Sequence, residues 1–222
     1  MIISVSEKSR SGLRRFTTEF ILRTEGVSYF YIVPLLFFYV WANLNLTADQ
    51  FGLFIKLTIA NVIFLALVTN ISNMLLTRPV DSFFKKVMRG AEPTDEEYNR
   101  AFKRFTALPY LHAFHSFYRW ILGLSLIIVP MMAWGNISRA QTFNMWLILV
   151  IIAPFTSIMY FFLTELYMKK IMKTGVFPRW AETGNKLRLS LFQKFTVSIV
   201  IITLLPFAIF LDHNKPVLLV KS

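Results

Sequence analysis

Cysteine is missing from this sequence, and acidic residues are scarce. Without cysteine the chain cannot form disulfides, use a thiolate nucleophile or hold a Cys-ligated zinc ion or iron–sulfur cluster. Only 12 aspartates and glutamates stand against 24 lysines and arginines, which gives a net charge of +12. The phosphate-binding loop, the G-x-S-x-G elbow, the H-E-x-x-H motif and the Rossmann glycine pattern are missing as well. The sequence therefore predicts no enzyme, and it predicts no cofactor and no metal site.

Hydrophobic residues, in contrast, make up 55% of the 222 residues. Charged residues make up 16%, against about 25% in a soluble domain. The apolar residues occur in runs, and about 20 of them suffice to cross the hydrocarbon core of a bilayer. Backbone polar groups inside a bilayer must be satisfied within the segment, so each run is expected to be a helix. The five predicted spans are about 27–46, 51–76, 117–134, 143–164 and 189–211. The fold class is therefore an all-α integral membrane protein.

A unit of about 90 residues is repeated along the chain. Phe16, Phe105 and Phe195 each precede a long apolar run, at separations of 89 and 90 residues. A second echo relates the basic run 84–90 to the run 168–175. Each unit is expected to be a membrane hairpin followed by a basic helix. The third copy is incomplete, with only the start of a sixth helix after Pro216. We therefore expect the chain to be a fragment, a truncated product or a degenerate copy of a six-helix design.

Lysine and arginine are distributed unequally between the two sides of the predicted hairpins. The segment 1–26 holds five of them, the connection 77–116 holds seven and the connection 165–188 holds six, whereas the opposite side holds three. The positive-inside rule therefore predicts a multi-pass protein of the inner (plasma) membrane with a cytoplasmic N-terminus. Because the basic residues flank apolar segments, anionic lipid headgroups are the expected counter-charge, and nucleic acid is not.

The connection after the second span is predicted to hold two amphipathic helices. Pro79 is expected to end the spanning helix, and Gly90 to end the first amphipathic helix. Thr94 and Glu97 have the spacing of a capping box, and the helix they begin is expected to stop before Pro109. These helices either couple the hairpins to a cytoplasmic partner or lie on the headgroups. The candidate coupling residues are Arg78, Pro79, Lys85, Lys86, Lys169 and Lys170. A similar apolar stripe predicts an interfacial helix in the N-terminal segment: Leu13, Phe16, Phe20 and Ile21.

Polar residues within the apolar runs are candidates for either binding or packing. The candidate intramembrane polar residues are Asn61, Asn70 and Asn73. Such residues are functional candidates by default, and hydrogen bonding between helices is the alternative. His112 and His115 stand three residues apart, which is a weak metal or haem pattern and favours polar packing at headgroup level. Arg119 is expected to extend to the interface. The sequence predicts no carboxylate in mid-membrane, which argues against a secondary transporter.

Four short motifs resemble the N-terminal six-helix membrane region of bacterial class III adenylate and guanylate cyclases and related HAMP-containing signalling proteins. They are Arg78-Pro79-Val80, the run from Lys85 to Gly90, Glu96-Glu97 and Leu108-Pro109. In that family the last helix leads into a HAMP coiled coil and a catalytic domain, and nothing in this sequence matches either. The resemblance implies a sensory or regulatory anchor, and it carries over no catalytic, metal-binding or nucleotide-binding residue.

Three functional hypotheses follow. The first is a membrane-embedded sensory or regulatory module of a bacterial signal-transduction protein, without a catalytic domain of its own. The alternatives are a small oligomeric permease or channel-like protein, and a truncated remnant of a longer signalling gene. The expected partners are the anionic bilayer, a second copy of the chain in a homodimer and a cytoplasmic signalling protein.

Overall fold

The computed structural model describes residue 13 and residues 15–177, and this part of the chain consists of helices joined by short loops, without strands. The first helix begins as α1 (Phe16–Val27), passes through a π-helical segment (Ser28–Ile32) and continues as α2 (Val33–Asn43). Three longer helices follow: α3 (Ala48–Met88), α4 (Asp95–Trp134) and α5 (Arg139–Met172). The described residues thus hold four helices, Phe16–Asn43 and α3 to α5, that are long and apolar enough to cross a membrane. This is compatible with a multi-pass membrane protein. The predicted fifth span, the start of a sixth and the third repeat lie outside the described residues.

Capping boxes begin α3, α4 and α5. In each, the hydroxyl of the N-cap residue accepts from the backbone N–H three positions on, and the side chain there accepts from the N-cap N–H. The N-cap residues are Thr47, Thr94 and Ser138, of which Thr94 was the predicted one. Gly90, the predicted stop of the preceding helix, follows α3 with a φ of +74°. Because a side chain disfavours this left-handed conformation, the glycine lets the chain leave the helix.

The two loops between hairpin helices have the same construction, which gives the repeat a structural basis. Asn45 and Asn136 adopt φ angles of 44° and 47°, and each precedes a capping box by two residues. The capping glutamines also join the loops to each other. Gln50 Nε2 donates to the carbonyl of Gly135 at 3.1 Å, and Gln141 Nε2 donates to that of Leu44 at 3.1 Å. We call this side of the bundle the loop end.

The predicted helix ends at Pro79 and Pro109 are wrong. α3 continues through Pro79 to Met88, and α4 begins well before Pro109 and runs through it. A proline removes one backbone hydrogen bond, and in a packed bundle the neighbouring turns hold the helix together. Val80, which follows Pro79, and Leu108, which precedes Pro109, are both completely buried. At 1.5 Å per residue, α3 and α4 are each roughly 60 Å long. The hydrocarbon core of a bilayer is about 30 Å thick, so each of these helices is roughly 30 Å longer than that core.

The extended parts of the helices pack around an aromatic core. We call this side of the bundle the basic end, and its aromatic cluster comprises Phe16, Phe83, Phe84, Phe105 and Phe177. Ring centroids lie 5.1 Å apart for Phe16 and Phe84, and 4.9 Å apart for Phe105 and Phe177. The apolar stripes, for which contact with the headgroups was one of the expectations, therefore face one another inside the protein, because burying an aromatic side chain completely removes more apolar area from water than half-burial at an interface does. Leu13, Phe16 and Phe20 of the predicted interfacial stripe are completely buried, and Ile21 is half-buried.

Candidate functional site

Glu25 lies at the centre of a buried polar cluster to which all four described spanning helices contribute. Its side chain is 7% exposed. Oε1 accepts a hydrogen bond from Arg119 Nη1 at 2.8 Å and another from Asn73 Nδ2 at 2.8 Å. Oε2 accepts from the hydroxyl of Tyr160 at 2.7 Å. The carboxylate is thus held from α3, α4 and α5 at once, although the sequence separations are 48 to 135 residues.

A second layer of hydrogen bonds fixes the donors. The Tyr160 hydroxyl has one proton, which it donates to Glu25, so the Ser28 hydroxyl beside it must donate to the Tyr160 oxygen. His112 Nδ1 lies 2.7 Å from the Thr164 hydroxyl, and Nε2 lies 3.4 Å from Glu25 Oε1. A neutral imidazole with its proton on Nε2 fits both contacts, because Nδ1 then accepts from Thr164 and Nε2 donates to Glu25.

The π-helical segment positions two of these groups. It begins three residues after Glu25 and contains Ser28, and both side chains face the cluster. π-helical turns occur mostly as single turns within α-helices and frequently at functional sites, since they shift the register of one face. Pro34 stands near the start of α2, just after this segment. A proline has no backbone N–H to donate to the preceding turn. The missing α-helical hydrogen bond at Pro34 therefore falls next to the π-helical segment, where the α-helical bonding is already interrupted.

Arg119 balances the charge of Glu25 within the bundle. Its guanidinium carbon also lies 5.2 Å from the centroid of the Tyr160 ring, within cation–π range. Burying an unpaired charge is very costly, and a pair is tolerated when further hydrogen bonds satisfy it. Counted from the loop end of each helix, Glu25 and Arg119 lie roughly 27 Å and 22 Å deep. In a bilayer whose hydrocarbon core, about 30 Å thick, began at the loop end, the pair would lie close to the basic-end boundary of that core.

A cavity of about 100 Å³ extends from this cluster toward the loop end. Glu25, Arg119 and Tyr160 border it at one end, and Val40, Phe54 and Met145 border it at the other. Thr58, Asn61 and Thr69 supply the polar groups along α3, and the remaining lining is mostly aliphatic and aromatic. Gly123 on α4 faces Asn61, and the Asn61 amide donates to its carbonyl at 2.9 Å.

Of the predicted intramembrane polar residues, the structure brings one into the cluster. Asn73 is completely buried and bonds Glu25, whereas Asn61 lies farther along α3 beside the cavity. Asn70 is exposed on the described bundle and does not join Asn73, although the two stand three residues apart. A spacing of three residues on a helix allows about 60° between side chains, which here is enough to separate an inward from an outward position.

The candidate coupling residues lie at the basic end and away from the cluster. Lys86 pairs with Glu97 at 2.6 Å and so joins α3 to the start of α4. Lys85 and Lys169 pair with Asp81 and Glu165, one turn earlier on their own helices. Arg78 and Lys170 are exposed, and Pro79 is half-buried inside α3. None of these six residues lines the cavity described above.

Sequence reasoning missed the central residues of the cluster. Glu25 lies just before the predicted first span, and Arg119 was expected to reach the interface; instead Arg119 is 7% exposed and faces Glu25. His112, expected at headgroup level, is completely buried. The sequence did contain one signal for this pair: a basic residue, Arg119, lies inside one apolar run, and a carboxylate, Glu25, lies at the edge of another. Within residues 13 and 15–177, no group of three His, Asp or Glu side chains could hold a metal ion.

Comparison of the chain with models of known protein families, with characterised proteins and with solved structures finds no match.

Proposed function

We propose that this protein is a sensory or regulatory membrane module that carries no catalytic domain of its own. In this proposal it lies in the inner membrane of a bacterium with its basic end in the cytoplasm. The observation that carries the proposal is the Glu25 cluster. It joins Glu25, Asn73, Arg119 and Tyr160 from all four described long apolar helices, and the same helices run on to the aromatic cluster.

The proposed mechanism is a small shift of packed helices between two arrangements, of the order of 1–2 Å. A change at the cavity or in the bilayer would alter how α1 sits against α3, α4 and α5 at Glu25. Because α3 and α4 are continuous, the displacement would reach the basic end. There Lys86 bridges α3 and α4 through Glu97, and the exposed cations around Lys170 could bind an acidic surface of a signalling partner.

The absence of cysteine makes a direct test practical, because two introduced cysteines are the only labelling sites. Ser82 on α3 and Leu166 on α5 are exposed near the basic end. The double variant Ser82→Cys/Leu166→Cys would carry nitroxide labels in nanodiscs of a thin (dimyristoyl) or a thick (dioleoyl) phosphatidylcholine. The distance between the two labels, measured by double electron–electron resonance, should differ between the two bilayers by about 1–2 Å or more.

The matched control is the pair Asp49→Cys/Ala140→Cys at the loop end, where Gln50 and Gln141 join the loops. Its distance distribution should be the same in both bilayers. Identical distributions at the basic end, or equal shifts at both ends, would count against a module that transmits a signal to the basic end.

One observation favours the permease as a second candidate. The sequence predicted no carboxylate in mid-membrane, and Glu25 lies toward the basic end of the expected hydrocarbon core, but its side chain is buried among His112, Arg119 and Tyr160. Proton-coupled carriers use such groups. The permease hypothesis predicts potential-driven acidification of proteoliposomes that is lost in Glu25→Gln and a substrate flux that is lost in Asn61→Leu. The sensory module predicts no proton flux in either variant or in the parent protein.

A further inference from the structure

The cavity beside the Glu25 cluster has the size of a small organic molecule. Its volume is about 100 Å³, which is smaller than the cavity of roughly 150 Å³ that binds benzene in another protein. Helices α2, α3, α4 and α5 all line it. The part nearest the loop end is apolar, with Val40, Phe54, Ile127 and Met145 around it. A short alkyl chain would fit this space, and a single ring would fill it completely.

Three of the residues that line the cavity each carry a buried polar atom with no hydrogen-bond partner within the described part of the chain. These atoms are Thr58 Oγ1, Asn61 Oδ1 and Arg119 Nε. The Asn61 amide nitrogen is used by the Gly123 carbonyl, which leaves Oδ1 as the free acceptor. Leaving one such atom unsatisfied costs about 1–3 kcal/mol. One donor, one acceptor and one hydroxyl on the lining of a mostly apolar cavity form the pattern of a binding pocket.

The charge of the site selects among ligand classes. Arg119 already has Glu25 as its counter-ion at 2.8 Å, so the pair is balanced. A further ion would bring an unpaired charge into the bundle, which is costly. A neutral group with both donor and acceptor character could accept from Arg119 Nε and donate to Asn61 Oδ1, with the Thr58 hydroxyl able to do either.

We propose that this cavity binds a small neutral lipophilic molecule that carries a hydroxyl group, with the hydroxyl at Asn61, Thr58 and Arg119 and the apolar part directed toward Phe54 and Met145. The inference deepens the proposed function, because it names the chemical class of the signal that the module would sense. A molecule bound at this site would contact the same helices that hold Glu25, and it would change how they pack.

Trp120 lines the cavity and provides the readout. The full chain, with the other four tryptophans replaced by phenylalanine, would be placed in dioleoyl phosphatidylcholine nanodiscs and titrated with 4-bromophenol. Bromine quenches indole fluorescence on contact, so occupancy should give quenching that saturates and that unbrominated phenol displaces. Toluene has a similar size and no hydroxyl, and it should displace the probe about five- to thirtyfold less well, as expected for the loss of one or two hydrogen bonds.

Two neighbouring positions on α3 give matched variants. Val62 lines the cavity, whereas Ile63 does not line it and is 60% exposed. Val62→Phe should abolish saturable quenching, and Ile63→Phe should leave it unchanged. Thr58→Val should weaken phenol and leave toluene as it was. Quenching that rises linearly with the probe in the parent protein, or that saturates equally in Val62→Phe, would overturn the proposal and leave the cavity to water.

This result is independent of the distance measurement at the basic end. Saturable binding without any change in distances would retain the binding site and reject the sensory module. Bilayer-dependent distances without saturable binding would retain the module and reject this ligand class.

Discussion

Glu25 illustrates how much a single side chain can organise when it is buried as an ion. Four side chains from three helices direct a polar atom at its carboxylate: Asn73 on α3, His112 and Arg119 on α4, and Tyr160 on α5. Breaking a buried ion pair by removing one partner leaves the other charge uncompensated, at about 3–5 kcal/mol. Replacing both partners by apolar residues is often nearly neutral or stabilising, since the desolvation penalty also disappears.

The first prediction concerns this pair. Arg119→Met should lower the free energy of unfolding by about 3–5 kcal/mol, because Glu25 remains buried without its counter-ion. The double variant Glu25→Leu/Arg119→Met should recover most of the loss. Denaturant unfolding in detergent micelles, followed by circular dichroism, measures both. Arg100→Met is the control, since Arg100 is exposed on the same helix and should change little. A single variant as stable as the parent would mean that the pair is not buried in the bilayer-embedded protein.

The second prediction concerns the Tyr160 hydroxyl. Tyr160→Phe keeps the ring beside Arg119 and removes the donor to Glu25 and the acceptor for Ser28. Loss of stability should be about 1–3 kcal/mol, the cost of leaving buried partners unsatisfied. Tyr118→Phe, at an exposed position of α4, should be neutral by the same unfolding measurement. Equal effects of the two substitutions would contradict the hydrogen bonds assigned to Tyr160.

At the scale of the helices, short-range rules explain the starts and turns well. Each loop at the loop end has an Asn in the left-handed region, then a capping residue, then a glutamine that reaches the opposite loop. Asn45-Leu46-Thr47 and Asn136-Ile137-Ser138 match the glycosylation sequon, and the structure gives the same residues a backbone role. Asparagine tolerates a positive φ better than other residues with side chains.

The third prediction follows from this backbone. Asn136→Ala should lower the melting temperature, because alanine in the left-handed conformation costs about 1–2 kcal/mol. Asn136→Gly should be tolerated, since glycine adopts a positive φ readily. Thermal unfolding of the two purified variants, side by side, distinguishes backbone strain from loss of the amide. If both variants are equally destabilised, the amide and not the φ angle is what the loop requires.

At the largest scale, the helical bundle formed by the described residues has two ends of different character. The loop end has an aliphatic core within the bilayer-spanning length. The basic end has a core built from aromatic rings that lies beyond the expected hydrocarbon core, and its surface carries lysines and arginines. Phe16 and Phe105 occupy equivalent positions in the sequence repeat, and their ring centroids lie 6.5 Å apart. The repeat thus brings corresponding residues of successive units into one core.

The fourth prediction tests that core against the headgroup alternative. Phe84→Ala should destabilise the protein by about 3–5 kcal/mol, the range for deleting a buried aromatic side chain. It should also expose residues 80–105 to limited proteolysis. Phe114→Ala is the control, because Phe114 is 63% exposed. If Phe84→Ala leaves unfolding unchanged and weakens only the contact with anionic vesicles, the stripe lies on the membrane surface after all.

The sequence alone determined those features that depend on neighbours along the chain. Apolar runs of sufficient length predicted the described spans, and the Thr94–Glu97 spacing and Gly90 predicted where helices begin and end. The same local reasoning ended helices at Pro79 and Pro109, where packing against adjacent helices overrides the loss of one backbone bond. Sequence periodicity identified the amphipathic stripes correctly and could not say whether lipid or protein covers them, because both are apolar surroundings.

Only the tertiary structure decided what the buried polar residues do. Glu25 and Arg119 are separated by 94 residues, and His112 and Tyr160 reach the same carboxylate from two further turns. No local pattern connects them, because the depth at which each side chain comes to rest depends on helix register, on the π-helical segment after Glu25 and on how the four described spans pack. The cavity has the same origin, since it is the space that this packing leaves between helices. The amino-acid sequence thus set the elements of this protein, and long-range packing assembled its candidate site.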